Sequence, residues 1–314
     1  MAYKVLVSCL YMQPIIDRFS HLFGDDEVEF VLPPVNERLS EADLIPLVGD
    51  IDGALCGDDR FTERVMKAAP RLVVISKWGT GIDSIDSEAA GRLGIAVRNT
   101  PGAFTDPVAD CALGYMLCFA RRLVDLDRII RSDRWEKLMG PALCESTLGV
   151  IGTGRIGKAV VRRALAFGMR IVGNDLLEMP EDFLSETGIE MMGKDRLLEE
   201  ADFVSLNCTL NPTSRHIIAA RELALMKPTA YLINTARGPL VDEPALVEAL
   251  QTGAIAGAGM DVFEHEPLPQ DSPLRQMENC MLAAHNANAS PAAWERVHVS
   301  TVQNLVDELR ARKR

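Results

Sequence analysis

This sequence is poor in several things that would each point to a function class. Basic residues do not predominate: 33 Lys and Arg stand against 45 Asp and Glu, leaving a net charge of −12. So acidic a chain has no general attraction to a phosphate backbone, which excludes nucleic acid as an expected partner. The seven cysteines are odd in number, widely spaced and form no CxxC pair. That argues against a disulfide framework or a structural metal and for reduced, mostly buried thiols. No run approaches the ~20 apolar residues that span a bilayer, so no membrane segment is expected. The N-terminal MAYKVLVSCL lacks a small-residue cleavage site and reads as a first β-strand, which points to a cytoplasmic protein. Low-complexity linkers and short-period repeats are missing too.

What is present is an alternation of short apolar runs and helical patterns. Val5–Val7, Glu29–Val31, Gly53–Leu55, Leu72–Ile75 and Ile95–Val97 read as strands, with helical stretches at Ile15–Phe23 and Glu63–Ala68. A second series begins at Thr147, with strands at Leu148–Ile151, Arg170–Gly173, Phe203–Leu206, Ala230–Ile233, Gly257–Met260 and Met281–Ala283. Helices fit Ile156–Phe167, Asp195–Glu200, Arg221–Met226 and Pro244–Leu250. Such alternation predicts an α/β protein with parallel sheets, and 314 residues suffice for two domains. One long helix is expected over Pro107–Arg131, packed either between domains or in a subunit contact. The last helix starts at Ser290–Pro291, a hydroxyl N-cap with proline at N1, and runs toward the basic end at 310–314.

The segment LGVIGTGRIG carries the strongest local signal. Gly152, Gly154 and Gly157 fit G-x-G-x-x-G after an apolar strand and at the start of a helix. That pattern gives a tight turn, close approach of a pyrophosphate and close helix–strand packing, with free N–H groups at the helix N-terminus. Asp175 closes the next strand. A carboxylate there accepts from ribose hydroxyls and repels a 2′-phosphate, which favours NAD over NADP. The fingerprint sits mid-chain, so a domain-sized unit precedes it, and the substrate is expected between the two.

Hydride transfer to a 2-oxo acid needs a proton donor, a cation for the carboxylate and a dry cleft. Of five histidines, His21, His216 and His298 read as structural or solvent-facing. His265 sits between two glutamates in DVFEHEP, and His285 follows an apolar strand. Strand-end position favours His285, because ligands bind at strand C-termini in open parallel sheets. Arg237 ends the strand of YLINTARGPL and could grip a carboxylate bidentately. Glu266 could charge-pair with the histidine. Taken singly, Arg237 could equally be a salt-bridge partner and Glu266 a solvated loop acid.

The motifs KWGTGIDSID (77–86), NTPGAFTDPVAD (99–110), GVIGTGRIG (149–157), NTARGPLVDEPAL (234–246) and GAGMDVFEHEP (257–267), with the His285 segment, occur in the order found in D-isomer-specific 2-hydroxyacid dehydrogenases. The chain resembles that family over nearly its whole length, and within it most the D-3-phosphoglycerate dehydrogenases. The resemblance implies two Rossmann-like domains with parallel sheets: a discontinuous substrate domain at 1–99 plus 290–314, and an inserted NAD-binding domain at 100–289. It implies a homodimer or higher homo-oligomer and a small anionic 2-hydroxy or 2-oxo acid as substrate. It makes His285 the acid–base, Glu266 its charge partner and Arg237 the substrate anchor. Cofactor contacts carry over to Thr80, Gly152, Gly154, Arg155, Ile156, Gly157, Asp175, Cys208, Pro212, Thr235, Ala236 and Asp261. Substrate contacts carry over to the loop of Lys77, Trp78 and Gly79 together with Arg237. Cys56 stands where phosphoglycerate dehydrogenases often carry an arginine, and Asp58 and Asp59 would repel a phosphate, so glyoxylate or hydroxypyruvate reductase is the alternative. A second alternative, of another class, is an NAD-binding corepressor-like scaffold. The chain stops after its last predicted helix, so the C-terminal regulatory domain of some phosphoglycerate dehydrogenases is not expected.

Overall fold

The computed structural model describes residues 2–24 and 27–312. The chain divides into two compact units, Met1–Phe104 with Ser290–Arg314, and Thr105–Ala289. No described helix is long and apolar enough to cross a membrane.

The first unit is built on five parallel strands: β1 (Tyr3–Val7), β2 (Val28–Val31), β3 (Gly53–Cys56), β4 (Val74–Lys77) and β5 (Ala96–Arg98), in the order β2-β1-β3-β4-β5. The central strands β3 and β4 are buried on both faces, as a sheet covered on both sides requires. One cover is the helix Pro291–Ala311. It buries Ala293, Val297, Val302, Leu305 and Leu309 at helical spacing. Leu305 reaches the space that a Cβ on Gly53 would fill, and Ser76 Oγ donates to Thr301 O at 2.8 Å. Pro291 opens this helix as expected, but the Ser290 hydroxyl makes no capping bond. Lys313 and Arg314 of the basic end lie outside the described residues. The helical stretch expected at Ile15–Phe23 is wound as a 3-10 helix over Gln13–Phe23, with Ile16, Phe19 and Phe23 buried.

The second unit carries seven parallel strands: β6 (Thr147–Ile151), β7 (Arg170–Asn174), β8 (Glu190–Met191), β9 (Phe203–Leu206), β10 (Tyr231–Asn234), β11 (Gly257–Met260) and β12 (Cys280–Leu282), in the order β12-β11-β10-β9-β6-β7-β8. The order reverses between β6 and β9, which makes the crevice beyond their C-terminal ends the topological switch point where ligands bind. The short β8 and the helix Glu181–Thr187 are additions to the expected elements.

The single long helix expected over Pro107–Arg131 is two helices, Thr105–Ala120 and Leu123–Arg131. Arg122 between them takes a left-handed conformation, φ 53°. The returning segment meets the chain at this break: Arg121 Nη1 donates to Gly140 O at 2.8 Å, and a Cβ on Gly140 would lie 2.0 Å from Ala120 O. The first helix is apolar almost all round and buried; the second is amphipathic.

All seven cysteines are free thiols. Only Cys9, Cys56 and Cys280 are buried, fewer than the apolar surroundings in the sequence led us to expect, and Cys144 is exposed.

Candidate active site

The glycine loop leaves β6 at the switch point. Its three glycines are needed for three different reasons. Gly152 has φ 89°, and a Cβ there would lie 2.5 Å from the Cys208 N–H. A Cβ on Gly157 would lie 2.1 Å from Gly152 O, so the helix Arg155–Ala166 can pack on the strand only without one. Around Gly154, at the helix N-cap, a Cβ would meet nothing within 4 Å. Its openness serves whatever binds, not the fold. Arg155 and Ile156 follow in the first turn, where backbone N–H groups are free for an anion.

Asp175, just beyond β7, is tied to this loop. Its Oδ2 accepts from Thr153 N at 2.6 Å and from Thr153 Oγ1 at 3.0 Å, and its Oδ1 accepts from Leu177 N at 3.0 Å. Burial alone would raise its pKa, but these bonds outweigh it and hold the carboxyl below its usual range. The loop after β9 carries Cys208, whose thiol burial pushes up to about 11, and the exposed Pro212. Among the described residues, the buried Asn207 Oδ1 and Thr235 Oγ1 lack hydrogen-bond partners. Two orphaned polar atoms, at the C-terminal ends of β9 and β10 in the sheet that bears the glycine turn, fit a dinucleotide that would satisfy them.

The acid–base candidates lie on the loops after β10, β11 and β12, neighbouring strands of one sheet. After β10, Asn234 brackets its own loop: its Nδ2 donates to Arg237 O at 2.9 Å and its Oδ1 accepts from Ala236 N at 3.1 Å. Arg237 follows with Nη1 donating to Ala236 O at 2.9 Å. A Cβ on Gly238 would lie 1.9 Å from the Phe263 carbonyl, so only glycine lets the Arg237 loop rest on the chain leaving β11. On that chain, Glu266 Oε1 accepts from Phe263 N at 2.9 Å, and its Oε2 accepts from His285 Nδ1 at 3.2 Å.

His285 has φ 50°, a left-handed conformation that costs a non-glycine residue on the order of 1 kcal/mol or more. Asp261 holds it there. The Asp261 carbonyl accepts from His285 N at 2.7 Å, Oδ1 from Asn286 N at 2.8 Å and Oδ2 from Ala287 N at 2.9 Å. Burial pushes the Asp261 carboxyl up, and the two N–H groups oppose that shift.

The remaining candidates belong to the first unit. Lys77 ends β4 with its side chain 5% exposed; Nζ pairs with Asp58 at 3.1 Å and donates to Trp78 O at 3.1 Å. Trp78 Nε1 donates to His298 Nδ1 at 3.0 Å. Gly79 has φ 121°, and Thr80 Oγ1 donates to Thr100 O at 3.2 Å. Asp59 is fully buried and accepts from Ser8 Oγ, Gly57 N and Leu39 N.

The profile of the D-isomer specific 2-hydroxyacid dehydrogenase NAD binding domain matches residues 113–287. This chain belongs to that family. It is 44% identical over 254 residues to a glyoxylate reductase of Korarchaeum cryptofilum, covering 79% of this chain and 76% of that one. It is 38% identical over 276 residues to a D-3-phosphoglycerate dehydrogenase of Methanocaldococcus jannaschii, covering 87% of this chain but 52% of that one. A crystal structure of Aquifex aeolicus D-lactate dehydrogenase complexed with NAD and lactic acid superposes with TM-score 0.86 at 27% identity, over 98% of each chain. The protein is thus an NAD-dependent oxidoreductase of the D-2-hydroxyacid dehydrogenase family.

Within this dehydrogenase, Asn234, Thr153 and Phe263 escape a reading of residue types. They act through backbone bonds, and the only signal for Asn234 is a polar residue ending a buried strand. Asp261→Asn presents a donor to one of the two amides it now accepts from. We expect faster amide exchange at Asn286 and Ala287 and turnover lowered on the order of 100-fold by the misplaced imidazole. Unchanged exchange at those two amides would contradict the role given to Asp261.

Proposed function

We propose that this enzyme reduces a small, unphosphorylated 2-oxo acid of the glyoxylate or hydroxypyruvate type to the D-2-hydroxy acid, with NADH. The observation that carries the reading is the His285–Glu266 pair on the loops after β12 and β11, with Arg237 on the loop after the neighbouring β10, in the sheet that bears the glycine loop. Bound NADH supplies the hydride for C2 of the acid. The oxygen that becomes the hydroxyl needs a proton, and His285 donates it from Nε2, because Glu266 engages Nδ1 and fixes the ring. In the oxidative direction the same nitrogen takes the proton back. Arg237 pairs with the substrate carboxylate and polarises the carbonyl; its guanidinium fork suits a carboxylate. Thr235, Ala236 and Asp261 line the cofactor side in this reading, with Asp175 on the adenine ribose.

The choice of acid departs from the phosphoglycerate expectation. Relatives of 38–44% identity named glyoxylate reductase cover most of this chain and of themselves, whereas the phosphoglycerate dehydrogenase is matched over about half its length. The first unit agrees. Of the two cations that could serve a phosphate, Arg60 is displaced in the sequence and Lys77 is already paired with Asp58, and Cys56 is fully buried. A dianionic phosphate beside Asp58 would meet repulsion. We also read the protein as a cytoplasmic homodimer. Leu123, Ile130, Trp135 and Met139 expose apolar surface on the second unit that a second copy would cover.

Absorbance at 340 nm over a panel of glyoxylate, hydroxypyruvate, pyruvate, 2-oxoglutarate and 3-phosphoglycerate tests the substrate class. Turnover of the small unphosphorylated acids is expected, and Arg237→Ala should lower it by about 2–4 kcal/mol of barrier, some 10²–10³-fold. Turnover of 3-phosphoglycerate alone would refute the choice of acid. Asp175→Ser is expected to raise NADPH use relative to NADH, and an unaltered ratio would remove Asp175 from the ribose site. Sedimentation as a monomer at micromolar concentration would dispose of the homodimer.

A further inference from the structure

His216, a structural or solvent-facing residue by its sequence context, occupies an unusual place. Its backbone is left-handed, φ 51°, the same conformation as His285. Its amide donates to Pro239 O at 2.9 Å. The pairing continues with Ile218 N to Leu240 O at 3.1 Å and Asp242 N to Ile218 O at 2.9 Å. The loop after β9 is therefore zipped along the segment that follows Arg237. The ring then reaches a third loop: Nε2 donates to Glu264 Oε1 at 2.5 Å, with Nδ1 4.0 Å from Asp242 Oδ2. Glu264 N in turn donates to Glu243 Oε2 at 3.2 Å. Glu264 is two residues from Glu266 and adjoins Phe263, whose carbonyl supports Gly238 and whose N–H holds Glu266.

We infer that His216 is a positioning residue for the reaction: it fastens the loop after β9 to the loop after β11, and so fixes Glu266 and Arg237 relative to each other. The inference rests on the reductase reading for its consequence, though the fastening itself does not. Without the tie, Glu264 loses its ring partner, and the 262–267 segment keeps Asp261 at its start, the Glu243 bond to Glu264 N, the Gly238 contact and the bonds of Glu266 to Phe263 and His285. A left-handed backbone at a bulky side chain persists only where surrounding bonds enforce it. The Pro239 and Glu264 bonds do so from two sides. The geometry separates a positioning role from a catalytic one, because both ring nitrogens face the carboxylates of Glu264 and Asp242.

The test compares wild type, His216→Ala, His216→Gln, Glu264→Ala and the double His216→Ala/Glu264→Ala variant, all full length. It reads kcat and KM for glyoxylate, NADH affinity by fluorescence, and amide exchange over residues 262–267. His216→Ala is expected to lower kcat about 10- to 100-fold with KM and NADH affinity within about 3-fold, and to speed exchange over 262–267. Glu264→Ala should match it, and the double variant should be no worse than either single change, since both remove one bond. His216→Gln, which keeps a donor, should recover part of kcat. Preserved kcat with unchanged exchange overturns the inference, as do losses that multiply in the double variant. Should wild type reduce none of the acids, the reductase reading fails by itself, and the exchange of 262–267 still decides on His216. Should the alanine variant not fold, His216→Gln and Glu264→Ala carry the same comparison.

Discussion

One buried carboxylate organises the chemistry of this protein. Asp261 leaves β11 with no exposed surface and spends both carboxylate oxygens on the N–H groups of Asn286 and Ala287, while its carbonyl takes that of His285. A charged group so deeply placed is costly unless fully hydrogen-bonded. Here the bonds that offset its burial also hold an imidazole in a left-handed turn it would not adopt alone. The bond from His285 Nδ1 to Glu266 is possible only once that turn is set. The local order is therefore one of dependence: sheet, then Asp261, then the turn, then the His285–Glu266 pair.

The same logic explains why glycine stands where it does. Gly238 is fixed by the Phe263 carbonyl against which its Cα lies, so the Arg237 loop and the loop bearing Glu266 touch backbone to backbone. Gly157 packs the helix on the loop, and Gly152 packs the loop on the chain leaving β9. Each contact removes slack between neighbouring strand ends. Rates of group transfer depend steeply on such slack, since errors of about an ångström can cost two orders of magnitude. Of the three glycines of the G-x-G-x-x-G turn, Gly154 is the one that no neighbouring atom requires.

The sequence was legible where one residue type answers to one physical demand. Strand–helix alternation gave the parallel sheets; G-x-G-x-x-G followed by Asp175 announced a dinucleotide; a histidine and an arginine at strand ends stood out because charge is rare there. It was less legible where the cause is a bond between distant backbone groups. Nothing in Arg121–Arg122 marks the break between the helices Thr105–Ala120 and Leu123–Arg131, which coincides with the return of Gly140 onto Ala120. Ser290 has the residue type of a cap without making the cap bond. His216 looks like a loop residue because its partner, Glu264, is forty-eight positions away.

The acid proposed here follows from charge already committed. The chain carries a net charge of −12, so an anionic substrate must be drawn by particular cations rather than by the molecule as a whole. In the second unit we propose Arg237 for that cation. In the first, Lys77 could have been another, but its ammonium is buried against Asp58 and the Trp78 carbonyl. A lysine so matched can shape the loop of Trp78 and Gly79 without offering a full positive charge to a ligand. Under the proposed reading one cation, Arg237, answers one carboxylate, the balance of a small monoanionic acid. A phosphorylated acid would need a second, and Asp58 would have to give up Lys77 to provide it.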